Sequence, residues 1–126
     1  MKFCTVINCM DGRVQLPVIN YLLKRFNVDY VDSITEPGPI LILAEQKNKT
    51  LIDSILARVN VSIEKHSSVG IAVVGHYDCA GNPVSKDVQL QQLQKAVQFL
   101  REKYDVPIIS LWVDENWQVE EISNHF

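Results

Sequence analysis

Phe3-Cys4-Thr5-Val6-Ile7-Asn8-Cys9-Met10-Asp11-Gly12-Arg13 is the stretch on which the fold turns. Phe3 to Ile7 is apolar enough for a strand buried on both faces, and such strands belong to parallel sheets covered by helices. The chain then changes character within a few residues. A second stretch repeats the form: Val69 to Val74 reads as a strand, and Gly75-His76-Tyr77-Asp78-Cys79 follows it. The two clusters together offer two thiols, an imidazole, a carboxylate and a guanidinium. Two sulfurs and one nitrogen are a typical zinc donor set, and three protein ligands leave a fourth place for water or a carboxylate. Cys9, His76 and Cys79 are therefore the expected metal ligands, at a site of catalytic rather than closed type.

The rest of the chain supplies a frame that can bring these clusters together. Ile19, Leu22, Leu23 and Phe26 recur at helical spacing, with Pro17 suited to the first turn. Tyr30 to Ile34 reads as a second strand. Glu36-Pro37-Gly38-Pro39 is a breaker. Ile40 to Ala44 fits strand or helix and is read as a short helix. A longer helix is expected over Thr50 to His66, with Ile52, Ile55, Leu56, Val59 and Ile63 on one face. Asp87 is the expected cap of a helix running to Tyr104, whose inner stripe is Leu90, Leu93, Val97 and Leu100. Pro107 to Val113 is the fourth strand, and Asn116 to Ile122 a candidate antiparallel edge strand. This alternation predicts a single three-layer α/β domain over residues 1–126, with a mostly parallel sheet of four strands and helices on both faces. Ligands of such sheets bind beyond the carboxyl ends of the strands, where the strand order reverses. If the first and third strands are neighbours there, Cys9 meets His76 and Cys79.

Composition narrows the function. The chain has 126 residues, 47% of them hydrophobic and 21% charged, enough for one core. A net charge of −3 gives no electrostatic reason to expect nucleic acid or an anionic membrane as partner. No apolar run reaches the roughly 18 residues of a membrane span. Met1-Lys2-Phe3-Cys4 leads straight into a strand with no signal-peptide pattern, so a cytoplasmic location is expected. Three cysteines in that compartment are reduced thiols or metal ligands, not a disulfide framework.

Cys9-x-Asp11-x-Arg13 followed by Gly75-His76-x-x-Cys79 resembles the motifs of the β-class carbonic anhydrases. Ser110-Leu111-Trp112-Val113 resembles, more loosely, that family's last parallel strand. The resemblance implies zinc held by Cys9, His76 and Cys79, with Asp11 and Arg13 paired beside it. It implies reversible hydration of CO2 to bicarbonate by a zinc-bound hydroxide, since zinc lowers the pKa of its water from 15.7 to roughly 7 to 9. It also implies a homodimer or larger homo-oligomer whose interface completes the pocket. Asp11 either takes the fourth place on zinc or pairs with Arg13, whose planar fork suits a carboxylate; Gly12 between them is read as allowing a tight turn. The sequence differs from the family at several points. Eight residues precede Cys9, where the family has a helical arm. Thr35-Glu36-Pro37-Gly38 replaces an Arg-Asn-Ala-Gly stretch, and Tyr77 and Ala80 replace Ser or Thr and Gly.

Three rival readings stand beside this one. A zinc hydrolase of carbon disulfide or carbonyl sulfide would share the metal centre. A closed site, with Asp11 permanently on the metal, would serve structure or sensing. A Cys9–Cys79 disulfide would make a redox protein, and Asp11 and Arg13 could form an ordinary surface ion pair. Among the remaining residues, Cys4 is expected in the core and His66 in a structural role at a helix end. Trp112 and Trp117 are read as core or dimer contacts, His125 as solvated, and Gln15 and Tyr77 as candidate pocket lining.

Overall fold

A computed structural model describes residues 1–122, so His125 lies outside the described residues. β1 (Phe3–Cys9) leads through a short 3-10 turn at Gly12–Val14 into α1 (Gln15–Arg25) and β2 (Tyr30–Glu36). Next come α2 (Pro39–Glu45), α3 (Lys49–Lys65), β3 (Ile71–His76), α4 (Lys86–Arg101), β4 (Ile108–Val113) and β5 (Val119–Ile122). The five strands lie in the order β2-β1-β3-β4-β5, all pairs parallel except β4 with β5. The expected edge strand is thus real and makes the sheet five-stranded.

Strand order and crossover hand place the helices. The chain steps from β1 outward to β2, then back across to β3 and on to β4. Right-handed crossovers in opposite directions put α1 on one face and α2, α3 and α4 on the other. Side-chain alternation follows. Cys4, Val6, Ala72, Val74, Ile109 and Leu111 face Val18 and Leu22 of α1. Ile7, Ile34, Ile71, Val73 and Ile108 face Ile40, Leu43, Ile55, Val59, Leu93 and Val97. Cys4 is fully buried, as expected of a core thiol.

Several local readings shift. The buried line of α1 is Val18 and Leu22, while Ile19 and Leu23 flank it. Ile40 to Ala44 is helical, inside α2, with Pro39 at its first position. α3 is capped by Asn48, whose side chain accepts from Leu51 N–H, and His66 is its C-terminal cap. His66 stacks on Phe3 and bonds Asp32 at 2.6 Å, a structural role. α4 ends at Arg101, short of Tyr104, and its cap is Ser85, not Asp87: the Ser85 hydroxyl accepts from Val88 N–H. Asp87 sits in the first turn, where a carboxylate favours the helix dipole without capping it. Ser85→Ala should therefore cost about 0.5–2 kcal/mol in urea unfolding, and Asp87→Ala at most a few tenths to 1 kcal/mol. Equal losses would show that the cap is misassigned.

The register explains where a site can form. β1 stays paired with β2 to its last residue, Cys9↔Glu36. It pairs with β3 only from Thr5↔Ile71 to Ile7↔Val73. β3 continues beside β4 to His76↔Val113. Beyond Ile7 and Val73 the two central strands therefore part, and a crevice opens at the point where the strand order reverses.

Candidate metal centre

Cys9 and His76 are the last residues of β1 and β3, one on each lip of that crevice. Both lie past the strand ends read from the sequence, Ile7 and Val74, because the ladders with β2 and β4 carry the strands through them. Cys79 follows His76 by one turn of loop. The three ligand atoms lie within 4.8 Å of one another, and the two sulfurs are 3.9 Å apart. All three residues are buried, at 1–5% exposure.

The His76 ring is oriented for a ligand. Its Nδ1 lies 2.7 Å from the Tyr77 carbonyl oxygen, to which it donates, and this leaves Nε2 as the free nitrogen. Nε2 is buried without a hydrogen-bond partner. An orphaned buried nitrogen is costly unless something binds it. A thiophilic cation between the sulfurs would satisfy it, so the residues present fit zinc.

The acid–base state of the cluster agrees. Burial pushes the Cys9 thiol up, but the neighbouring His76 imidazole and the main-chain N–H groups of Gly38 and Asp11 outweigh it and bring it down to about 7. Burial, then the charge on Cys9, pushes Cys79 up to about 11. Burial works against charge on His76, yet Cys9 and the Tyr77 carbonyl hold its pKa above the ordinary value.

Asp11 is not one of the three grouped donors and is held by Arg13. The Arg13 Nη2 lies 2.7 Å from Asp11 Oδ2, and Nε lies 3.1 Å from Oδ1. Asp11 Oδ1 also accepts from Arg13 N–H at 2.9 Å, capping the 3-10 turn. The Arg13 guanidinium is the main reason the Asp11 carboxyl falls to about 2. The Gln15 amide donates to the carbonyls of Cys9 and Asp11, both at 2.8 Å, and so pins this loop.

Sequence reasoning missed what holds Arg13 from its other sides. Asp78 accepts from Arg13 Nη1 at 3.3 Å, and its carbonyl accepts from Nη2 at 3.2 Å. Trp117 lies under the guanidinium, 4.5 Å from it. The only signal was Asp78's place between two ligands; nothing local points to Trp117. Trp112, buried in the sheet, lines a cavity of about 500 Å³ together with half-exposed Tyr77 and Asp78.

Glycine is not required at position 12, where the sequence reading places the tight turn. Gly12 has an ordinary φ, and a Cβ there would meet open space. Gly38 has φ 62°, and a Cβ would lie 2.8 Å from Asn82 Cβ and 2.9 Å from the Gly81 main chain. It lets the β2–α2 turn lie against the loop carrying Cys79. Gly38→Ala should cost about 1–3 kcal/mol through left-handed strain and displacement of that loop, against near zero for Gly12→Ala. Urea unfolding of the two variants checks this, and a harmless Gly38→Ala would refute the packing argument.

The profile of a family described as "Putative carbonic anhydrase" matches residues 1–123. No curated protein matches the sequence. Among solved structures, the chain is similar to β-carbonic anhydrase isoform I of the protozoan Trichomonas vaginalis, at 17% identity over 98% of this chain and 83% of that one, with a TM-score of 0.65. It is similar to the carbonic anhydrase of Streptococcus mutans, at 14% identity over 94% and 81% of the two chains, with a TM-score of 0.64. It also resembles a tetrameric β-carbonic anhydrase of the fungus Sordaria macrospora, at 9% identity over 97% and 80%, TM-score 0.64. At these identities the likeness speaks for the fold.

Proposed function

Because the chain belongs to the carbonic anhydrase family whose profile spans residues 1–123, we propose that it is a zinc lyase converting CO2 and water reversibly to bicarbonate and a proton. The observation that carries this reading is the orphaned Nε2 of His76, grouped within 4.8 Å of the Cys9 and Cys79 sulfurs. Those three residues would hold the metal. Zinc there would supply a water acidified to near neutrality, the nucleophile that CO2 needs.

The protein's own residues do the rest. Cys9 and Cys79 bind as thiolates, so uptake of the metal sheds the Cys79 proton. Tyr77's carbonyl keeps the His76 ring in the tautomer that presents Nε2. Arg13 keeps Asp11 ionised far below neutral pH and facing it. An ionised Asp11 can only accept, so it would orient an O–H at the open position and leave the oxygen lone pair toward carbon. The same Arg13 contacts favour the open site over the closed one, since a carboxylate held bidentately is not free to fill the fourth place.

The proposal extends to assembly and location. Met10 and Leu16, 61% and 70% exposed, are apolar side chains close in sequence to Cys9, suited to a homodimer interface. The Sordaria relative's tetrameric state agrees with that. Among the described residues no helix is long and apolar enough to cross a membrane. All three cysteines are free thiols, which accords with the proposed cytoplasmic location.

Stopped-flow CO2 hydration from about pH 6.5 to about pH 9, on protein carrying one zinc per chain, tests the reading. Zinc-dependent turnover that rises with pH is expected, with chelator-stripped protein as the blank. A loaded protein no faster than the blank would retire carbonic anhydrase activity and favour another substrate or a structural site.

A further inference from the structure

Gln89 of α4 interrupts an apolar stripe. Leu93, Ala96, Val97 and Leu100 continue the buried face toward the C-terminus, and Gln89 is itself only 2% exposed. A buried amide in an apolar stripe is costly unless its groups are bonded. Both ends of this amide are bonded, and both to the same residue. Its Oε1 accepts from His76 N–H at 3.1 Å, and its Nε2 donates to the His76 carbonyl at 2.8 Å.

The sheet explains why His76 needs this. Successive residues of a parallel strand direct their N–H and C=O to opposite neighbours. Tyr77 N–H bonds to Val113 of β4 at 2.9 Å, so His76 directs its main chain to the β1 side. There β1 has already left, since its last pair with β3 is Ile7↔Val73. The His76 N–H and C=O would be two buried, unpaired main-chain groups. The side-chain amide carries one donor and one acceptor in the arrangement a neighbouring strand would present. Gly75 leaves room for it: a Cβ there would lie 3.1 Å from Gln89 Oε1.

We infer that Gln89 is a positioning residue of the metal centre, standing in for the missing strand at the crevice and fixing the His76 main chain so that Nε2 meets the sulfurs of Cys9 and Cys79. The inference rests on the reading of His76 as a metal ligand. The ring hangs from a segment tied to β4 on one side, and Gln89 ties it on the other. Without that second tie the segment can tilt toward the crevice, and the imidazole moves with it. Gln89 touches no donor atom, so its effect would be on ligand geometry and not on ligand number.

The test uses zinc and cobalt(II) alone as probes. Gln89→Met keeps the length and apolar stem but neither hydrogen bond. Gln89→Glu keeps an acceptor for His76 N–H and loses the donor to its carbonyl. Leu100→Ala, buried at the far end of the same helix, controls for lost fold stability. Zinc affinity is read by competition with a chromophoric chelator, and site geometry by the visible spectrum of the cobalt(II) form. We expect Gln89→Met to bind zinc about 10–100-fold more weakly and to shift the cobalt bands, with Gln89→Glu between it and the parent. Leu100→Ala should lower the urea midpoint while leaving both metal readouts in place. Parent-like affinity and spectrum in Gln89→Met overturn the inference. If Gln89→Met does not fold, the same readouts on Gln89→Glu decide it. A parent protein that fails to bind either ion overturns instead the zinc reading beneath it.

Discussion

Cys79→Ser will lose tight zinc binding, and CO2 hydration with it. Structural zinc sites bind with about 10–16 kcal/mol of apparent free energy at neutral pH, so one of three protein ligands represents roughly 3–5 kcal/mol, or about two to four decades in Kd. A serine hydroxyl stays protonated at neutral pH and cannot replace a thiolate. The parent's own affinity should rise with pH, because metal uptake displaces the proton of a thiol held at about 11, by about tenfold per pH unit for each proton displaced. The sign is fixed: acid returns the proton and releases the metal. Zinc should also raise the unfolding free energy of the parent by about 4 kcal/mol at a thousandfold excess over Kd, and do little for the variant. Competition titration of both proteins over pH measures all of this. A Cys79→Ser protein that keeps one zinc per chain at parent affinity would show that Cys79 is not a ligand.

Arg13→Ala is expected to keep zinc and lose most of the activity. Arg13 bonds Asp11 through Nε and Nη2, grips Asp78 through Nη1, and lies over Trp117. Removing it frees the Asp11 carboxylate to swing toward the open position and takes away the geometry in which Asp11 orients an O–H. Misplacing one preorganised hydrogen-bonding group in an active site typically costs 10²- to 10³-fold in kcat, about 2.7–4 kcal/mol. Metal content by elemental analysis should remain one per chain, since none of the three donors is altered. Arg13→Lys should recover little, because an ammonium cannot reproduce the bidentate fork. Full activity in Arg13→Ala would sink the idea that Arg13 governs Asp11.

Much of the architecture was legible in the chain itself. The period of Ile52, Ile55 and Val59 encodes a helix, and the unbroken apolar runs at Phe3–Ile7 and Ile71–Val74 encode strands buried on both faces. These are local signals, carried by residues within a few positions of one another. Element ends were less legible. The cap of α4 fell on Ser85 because a hydroxyl there reaches Val88 N–H, and Asp87 cannot cap a helix it already belongs to. Ile40 to Ala44 resolves as helix only because Pro39 and left-handed Gly38 start it and an apolar sheet face receives it.

The donor set of the candidate site was written in residue types: two cysteines and one histidine near strand ends could hold a metal, and this is legible before any distance is known. Their convergence was not. It depends on β1 and β3 being neighbours and on their parting after Ile7 and Val73, and no residue near Cys9 carries that information. The need for glycine at 38 but not at 12, the grip of Asp78 and Trp117 on Arg13, and the seat of His76 on Gln89 are likewise contacts between distant segments. Sequence by itself determined periodicity, turn chemistry and the identity of the reactive groups, because each acts over one turn of chain. Tertiary structure decided which groups meet, because strand order and register arise from packing both faces of the sheet at once.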